Sequence, residues 1–194
     1  MSFEFLNPVE EAVVAHSALL PNQSLGKRIS IHSKQNGLPE LKGAHIAIIG
    51  VEEGRRAEDN HGAGKDFGFI RKYLYQLFPG NWFSNIVDLG NIPQGEEEED
   101  SYFALQEIIV YLVKNNIIPI IIGGGQDLTY ANYRAYDSLE QTVNLTTVDT
   151  KFDLGHIEDE VSSTSFLNKI ILDKPSNLFN YSNIGYQTYF NSQE

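Results

Sequence analysis

Residues 44–51 and 117–122 are apolar runs rich in isoleucine, each ending at or beside a glycine, and neither alternates polar with apolar positions. Runs of that length and character suit strands buried on both faces, which is the situation of strands in a parallel sheet. Residues 85–89 and 143–149 fit two further strands. Between them, Ile70, Tyr73, Leu74 and Leu77, and then Leu105, Ile108, Ile109 and Leu112, recur at helical spacing. Strands alternating with helices in this way imply parallel βαβ units with right-handed crossovers. The expected fold class is therefore α/β, a three-layer αβα arrangement around a parallel sheet. Ligands in such folds bind beyond the carboxyl ends of the strands.

The chain of 194 residues suits one domain. Residues 1–43 are expected to form a helix and an arm, and 44–194 the sheet-forming core. Asn7, Pro8 and Glu10 open the first helix as cap, first-turn proline and acidic residue, with Val9, Val13 and Leu20 on its apolar side. Residues 23–42 read as a polar arm. The acidic run 96–100 precedes the helix of Leu105 and is expected to act as a solvated cap on the exposed amide dipoles. Residues 162–172 look helical, and 184–187 fit a fifth strand.

Charge and composition exclude several classes of function. Lys and Arg number 14 against 26 Asp and Glu, a formal charge of -12, so the attraction to phosphate that supplies most nucleic-acid affinity has the wrong sign. There is no cysteine, which removes disulfides, thiolate catalysis and Cys-type zinc sites. The start, Met1, Ser2, Phe3, Glu4, lacks a basic segment leading into an apolar run, and Pro119 interrupts the longest apolar stretch. Neither a signal peptide nor a membrane span is expected, and the cytoplasm is the expected location. A small-molecule ligand and a homo-oligomer are both compatible with these features.

Three segments fall at the carboxyl ends of the expected strands. Glycines 123–125 lead into a helix and could cradle a phosphate, because bare amides and a helix N-terminus attract anions. However, Leu128 stands where a dinucleotide fingerprint needs glycine, and no Walker Gly-Lys-Ser/Thr follows. Asp149, Lys151 and Asp153 leave a strand together. Closely spaced carboxylates can hold a hard cation, but with a lysine between them they can equally satisfy one another as an ion pair.

Taken together, Gly-Gly-Gly-Gln-Asp-Leu-Thr at 123–129 and Val-Asp-Thr-Lys-Phe-Asp-Leu at 148–154 resemble the ureohydrolase superfamily of arginase, agmatinase and formimidoylglutamase. Its corresponding patterns are Gly-Gly-Asp-His-Ser and Asp-Ala-His-x-Asp. The segment from Ile48 to Gly64, including Asn60, His61 and Gly62, is similar to the family's first-strand loop, and residues 69–74 to the helix behind it. Residues 87–90 are similar to the second strand. Ser163 and Thr164 resemble the loop that lines the family's substrate cleft. The match runs from Ala44 onward and is nearest in character to formimidoylglutamase, which implies an arginase-like fold, truncated.

The resemblance implies two manganese ions with a bridging hydroxide that attacks an amidino or guanidino carbon, a metal-lowered water pKa combined with a two-metal clamp. Asp149 and Asp153 keep the two carboxylate ligands, but Gln126 and Lys151 stand where the family has histidines, and Gly125 replaces an aspartate. A protonated lysine repels a cation, and an amide oxygen is a poor substitute for imidazole on manganese. The four metal positions are therefore expected to be empty, with no cofactor and no catalytic residue. His156 is the best-placed replacement ligand. The later Ser-Phe-Asp-x-Asp strand is not found in these residues.

The expected role is thus a non-catalytic binding or interaction module. A formimidoylglutamase-type hydrolase completed by residues outside this chain and a phosphate- or nucleotide-binding domain remain as alternatives. Two further expectations follow. Lys151 should replace the missing cation by lying within salt-bridge reach of Asp149 or Asp153. The strands at 117–123 and 143–149 should pair directly, closing the sheet as 2-1-3-4-5, or else expose edges that a second chain fills. Direct pairing is favoured because a helix over 127–137 is long enough for the crossover.

Overall fold

The computed structural model describes residues 3–81, 84–156 and 160–192. The elements are α1 (Glu11–Leu19), α2 (Leu25–Arg28), β1 (Ser30–Ile31), β2 (Ile46–Val51), α3 (Phe67–Gln76), β3 (Ile86–Ile92), α4 (Glu98–Lys114), β4 (Ile118–Ile122), α5 (Leu128–Ser138), β5 (Val143–Val148), α6 (Phe166–Leu172) and β6 (Leu178–Ile184), with a 3-10 turn at Thr188–Phe190. The first four strands form a parallel sheet in the order β1-β3-β2-β4, and β5 and β6 form a second parallel sheet. No described helix is long and apolar enough to cross a membrane.

Side chains on a strand alternate between faces, and here both faces are apolar. Ala47, Ile49 and Val51 of β2, with Val87 and Leu89 of β3, enter one core with Leu105, Ile108, Ile109 and Leu112 of α4 and Leu128, Ala131 and Ala135 of α5. Ile48 points the other way, onto Phe67 of α3 and Ile122. Helices α1 and α2 join α3 on that side through Val13, Leu25 and Tyr75. Helix on sheet on helix is the expected layering. The acidic run also acts as expected, since Glu97 and Asp100 close a reciprocal capping box at the start of α4.

Four expectations fail. The first helix opens at Glu11, with Glu10 at its cap, and not at Asn7 and Pro8, because Asn7 is held in a backbone bridge to Asn91. The arm is not separate from the sheet, because Ser30 and Ile31 pair with Val87 and Asp88; two residues without apolar periodicity leave no strand signal. The last strand is β6, ending at Ile184, and not 184–187, because Gly185 at φ +97 turns the chain out of the sheet. Direct pairing of β4 with β5 is not observed. Helix α5 is long enough for the crossover, but Tyr130 and Tyr133 anchor β5 and β6 onto α6, giving that unit a core of its own with Phe166, Leu167 and Ile170. The edges of β4 and β5 stay open.

A charged group lies inside the α3 side of the sheet. Arg71 of α3, 1% exposed, donates from Nε to Asp88 Oδ2 at 2.8 Å and from one terminal nitrogen to Asp88 Oδ1 at 2.9 Å. It also donates to Asn91 Oδ1 at 2.6 Å and to the Gly90 carbonyl at 3.0 Å. Tyr75, one helical turn on, donates to Asp88 Oδ2 at 2.8 Å. Gly90, at φ +82, has Asn7 O where a Cβ would sit, and this lets Asn7 and Asn91 exchange two backbone hydrogen bonds. Removing one partner of a buried ion pair leaves an uncompensated charge. Asp88→Ala is therefore expected to destabilise the protein by about 3–5 kcal/mol in chemical denaturation, far more than Lys34→Ala, which breaks an exposed pair with Glu11.

Candidate functional site

The loop after β2 is held at the carboxyl ends of the strands by a buried carboxylate. Glu53 is fully buried and accepts hydrogen bonds from Arg55 Nε at 3.0 Å, Arg55 Nη2 at 2.6 Å, the Arg55 amide at 2.9 Å and Ser101 Oγ at 2.9 Å. Burial pushes this carboxyl up, but the donors from Arg55 and Ser101 prevail and hold it below the usual carboxylate range. Arg55 continues to the carbonyls of Gly95 and Glu96, so the loops after β2 and β3 are tied together.

The glycine turn packs against this loop. Gly124, at φ +81, has Leu128 Cδ1 2.0 Å from where a Cβ would stand. Its amide donates to Ala63 O and the Gly125 amide to Glu53 O, both at 3.0 Å. Two of the three amides that a phosphate cradle would use are therefore spent on loop carbonyls, and the phosphate-binding reading loses its donors. Behind the turn, Asp127 is fully buried, accepts from Tyr102 at 2.6 Å through Oδ2, and leaves Oδ1 without a partner. Burial pushes its carboxyl up.

Asn60, Gln126 and Ser163, three residues singled out from the sequence, line one cleft of about 510 Å³ with Glu58, Gly123, Leu128 and Asn132. Thr164 stands beside it and donates to Glu58 Oε1 at 2.7 Å, as does Ser162. Ser163 Oγ accepts from the Glu58 amide at 3.0 Å. His61 and Gly62 are exposed and do not line the cleft. Sequence reasoning missed Glu58; its signal was an acid inside a glycine-rich loop at a strand end.

The four metal positions form a different arrangement. Gln126 Nε2 donates to Asp149 Oδ2 and the Lys151 amide to Asp149 Oδ1, each at 3.0 Å. Burial pushes the Asp149 carboxyl up, but these donors and Thr150 outweigh it and hold it below its ordinary value. Asp153 is pushed up to about 6 by burial and by the charges of Asp149 and Glu58. Lys151 is exposed, and among the described residues its ammonium makes no ion pair with either aspartate. The expected salt bridge is therefore not formed, although the Lys151 charge still acts on Asp153 and pulls its carboxyl down against burial. Strand β5 stops at Val148 and Asp153 sits at φ +53, so the alternation that would have put Asp149 and Lys151 on one face has already ended.

These residues do not fit a binuclear manganese centre. Both oxygens of Asp149 face N–H donors, the amide end of Gln126 is a donor where a nitrogen lone pair is needed, and position 151 is a cation. Among the described residues no three His, Asp or Glu side chains gather to hold a metal ion. His156 is exposed and joins no such group. Protein purified without chelator and incubated with manganese is expected to retain well under one equivalent by metal analysis.

Asp153 also sets a pH dependence. Its folded-state pKa lies above the ordinary 3.8, so the stability it contributes is whole below that value and is lost as pH rises through about 6. Asp153→Asn is expected to melt close to the parent at pH near 4 and above it at pH near 7, a gap that thermal denaturation across the range would measure.

A family model described as the Arginase family matches residues 44–194. Formimidoylglutamase of Geobacillus sp. (strain WCH70) is 31% identical over 142 residues, 69% of this chain and 43% of that protein. The Macrococcus caseolyticus formimidoylglutamase is 32% identical over 112 residues, 56% of this chain and 35% of that protein. Among solved structures, Trypanosoma cruzi formiminoglutamase with manganese aligns with a TM-score of 0.71 at 19% identity, over 88% of this chain and 59% of that one. Bacillus subtilis formimidoylglutamase aligns at 0.66 and 21% identity, over 77% and 50%. At these identities the solved structures carry the fold alone. The chain spans less than half the length of these two curated relatives.

Proposed function

Because the chain belongs to the arginase family, we propose that it is a cytoplasmic ureohydrolase-fold protein that binds a ligand without hydrolysing it. The observation that carries this reading is the Gln126–Asp149 hydrogen bond. An amide N–H occupies the carboxylate oxygen that would otherwise face a cation, so the carboxylate is satisfied by the protein's own donors. The family's chemistry needs a metal-lowered water pKa, and the donor set here does not support it.

What the chain's residues can do is bind. The cleft presents the neutral polar groups of Asn60, Gln126, Thr129, Asn132 and Ser163, and one carboxylate, Glu58. Two hydroxyls and the Ser163 contact fix Glu58 in place. Preset polar groups of this kind orient a small polar ligand.

A second reading, an amidine hydrolase of the formimidoylglutamase type, is favoured by the 31% identity to the Geobacillus protein and by the part of that protein which this chain does not cover. One assay separates the two. Formimidoylglutamate incubated with manganese and the chain, complemented by a polypeptide covering the unmatched part of the Geobacillus protein, is expected to release no formamide above background. Turnover accompanied by stoichiometric, tightly held manganese would instead establish the hydrolase.

A further inference from the structure

A cavity of about 830 Å³, larger than the cleft at the carboxyl ends of the strands, opens at the amino ends of β2 and β3. Ile46 and Ile86, the first residues of those strands and partners in register, line one side. Ile48 lies on the same face as Ile46 and is covered by Phe67, but that cover stops short of Ile46. Leu25 and Ile29, at the two ends of α2, line the other side and are buried with Tyr75. The Leu25 amide donates to Leu77 O at 2.7 Å, which pins α2 to the end of α3. Leu77 and Phe78 form the rim, 58% and 62% exposed.

Two exposed donors stand over this apolar lining, Arg28 and His45. The chain has five arginines, and Arg55, Arg56, Arg71 and Arg134 each pair with a carboxylate. Arg28 does not. Among the described residues it has no ion pair and no side-chain hydrogen bond, in a chain whose formal charge is -12. His45 is fixed by its backbone, which donates to Asn85 O at 2.8 Å and accepts from the Ile118 amide at 2.9 Å. Its ring accepts at Nδ1 from the Asn85 amide at 3.1 Å. A ring that accepts at Nδ1 carries its proton on Nε2, so that nitrogen is a neutral donor.

A concave apolar lining with a few placed polar groups is the usual form of a small-molecule site. We propose that this cavity binds an alkyl monocarboxylate, its head on the Arg28 guanidinium and the Nε2–H of His45, its chain against Ile46, Ile86, Leu77 and Phe78. A guanidinium holds a carboxylate through two parallel hydrogen bonds, and the alkyl body removes the exposed apolar rim from water. One positive charge balances one negative charge, so a phosphate dianion would leave a charge uncompensated. A second copy of the chain fits poorly, because an isologous contact sets a patch against itself and would bring two concave cavities and two unpaired arginines face to face. The site lies at the other end of β2 and β3 from the cleft, and the proposal does not depend on the reading of that cleft as non-catalytic.

The test titrates decanoate into the protein and follows isoleucine methyl groups by NMR. The methyls of Ile46 and Ile86 are expected to shift saturably with one equivalent bound, while that of Ile122, at the carboxyl end of β4, does not move. Decylammonium and acetate, which keep only the chain or only the head, should leave all three in place. Arg28→Gln should weaken decanoate binding by at least about tenfold with an unchanged thermal melt, because Arg28 is exposed and unpaired. Arg28→Lys keeps the charge without the planar fork and should weaken it less. Absence of a saturable shift would overturn the proposal, as would equal binding of decanoate and decylammonium or binding insensitive to Arg28→Gln. So would shifts of the same methyls with protein concentration alone, accompanied by dimerisation in light scattering, which would make a second copy the occupant.

Discussion

The buried contact between Arg71 and Asp88 is the constraint on which the arrangement of the other elements depends. Placing a guanidinium and a carboxylate inside an apolar layer carries a desolvation cost of several kcal/mol per ion, and the fold offsets it by satisfying almost every donor and acceptor at hand. Tyr75, Asn91 and the Gly90 carbonyl complete the set. Each partner lies on a segment that must then be in register: α3 through Arg71 and Tyr75, β3 through Asp88, and the N-terminal segment through the paired amides of Asn7 and Asn91. His32 bonds the same strand, its amide to Asp88 O and its ring Nδ1 to Leu89 O. A polar network of this kind specifies one packing because alternatives leave charges unpaired.

From this frame the site follows by a chain of loop contacts. Asn91 donates to Glu52 at the end of β2, which sets where the loop leaves the sheet. One residue on, Glu53 gathers Arg55 and Ser101 and binds the loops after β2 and β3 into one body. The glycine turn then closes against that body through its own amides, and Glu58 reaches the segment 162–165. The cleft is thus built from loops on a rigid scaffold, the usual location of ligand sites in parallel sheets.

The division of the sheet into two parts is an energetic compromise. Pairing β4 with β5 would satisfy their edges but would pull Tyr130 and Tyr133 away from α6. Tyr130 donates to Asp173 at 2.5 Å, Tyr133 Oη lies 2.9 Å from Ser176 Oγ and accepts from the Asn177 amide at 3.1 Å, and the cluster of Phe166, Leu167 and Ile170 buries around them. An edge amide left in water loses little, because water replaces the missing partner, whereas buried aromatic area has no such substitute.

Much of this was legible in the sequence. The isoleucine runs at 44–51 and 117–122 required strands covered on both sides, the helical spacing from Ile70 and Leu105 required the covering layers, and the order of the elements required a parallel sheet. The paired segments at 123–129 and 148–154 pointed to the family, because their residue identities can be read without any geometry. Residue identity could not decide who partners whom. That Gln126 and not Lys151 serves Asp149, that Glu58 and Asn132 enter the cleft, that Ser30 and Ile31 join the sheet, and that β4 and β5 stay apart are outcomes of three-dimensional packing. Each depends on where a loop ends its regular alternation or on which of two cores captures a helix face, and those competitions are settled by contacts between residues far apart in the chain.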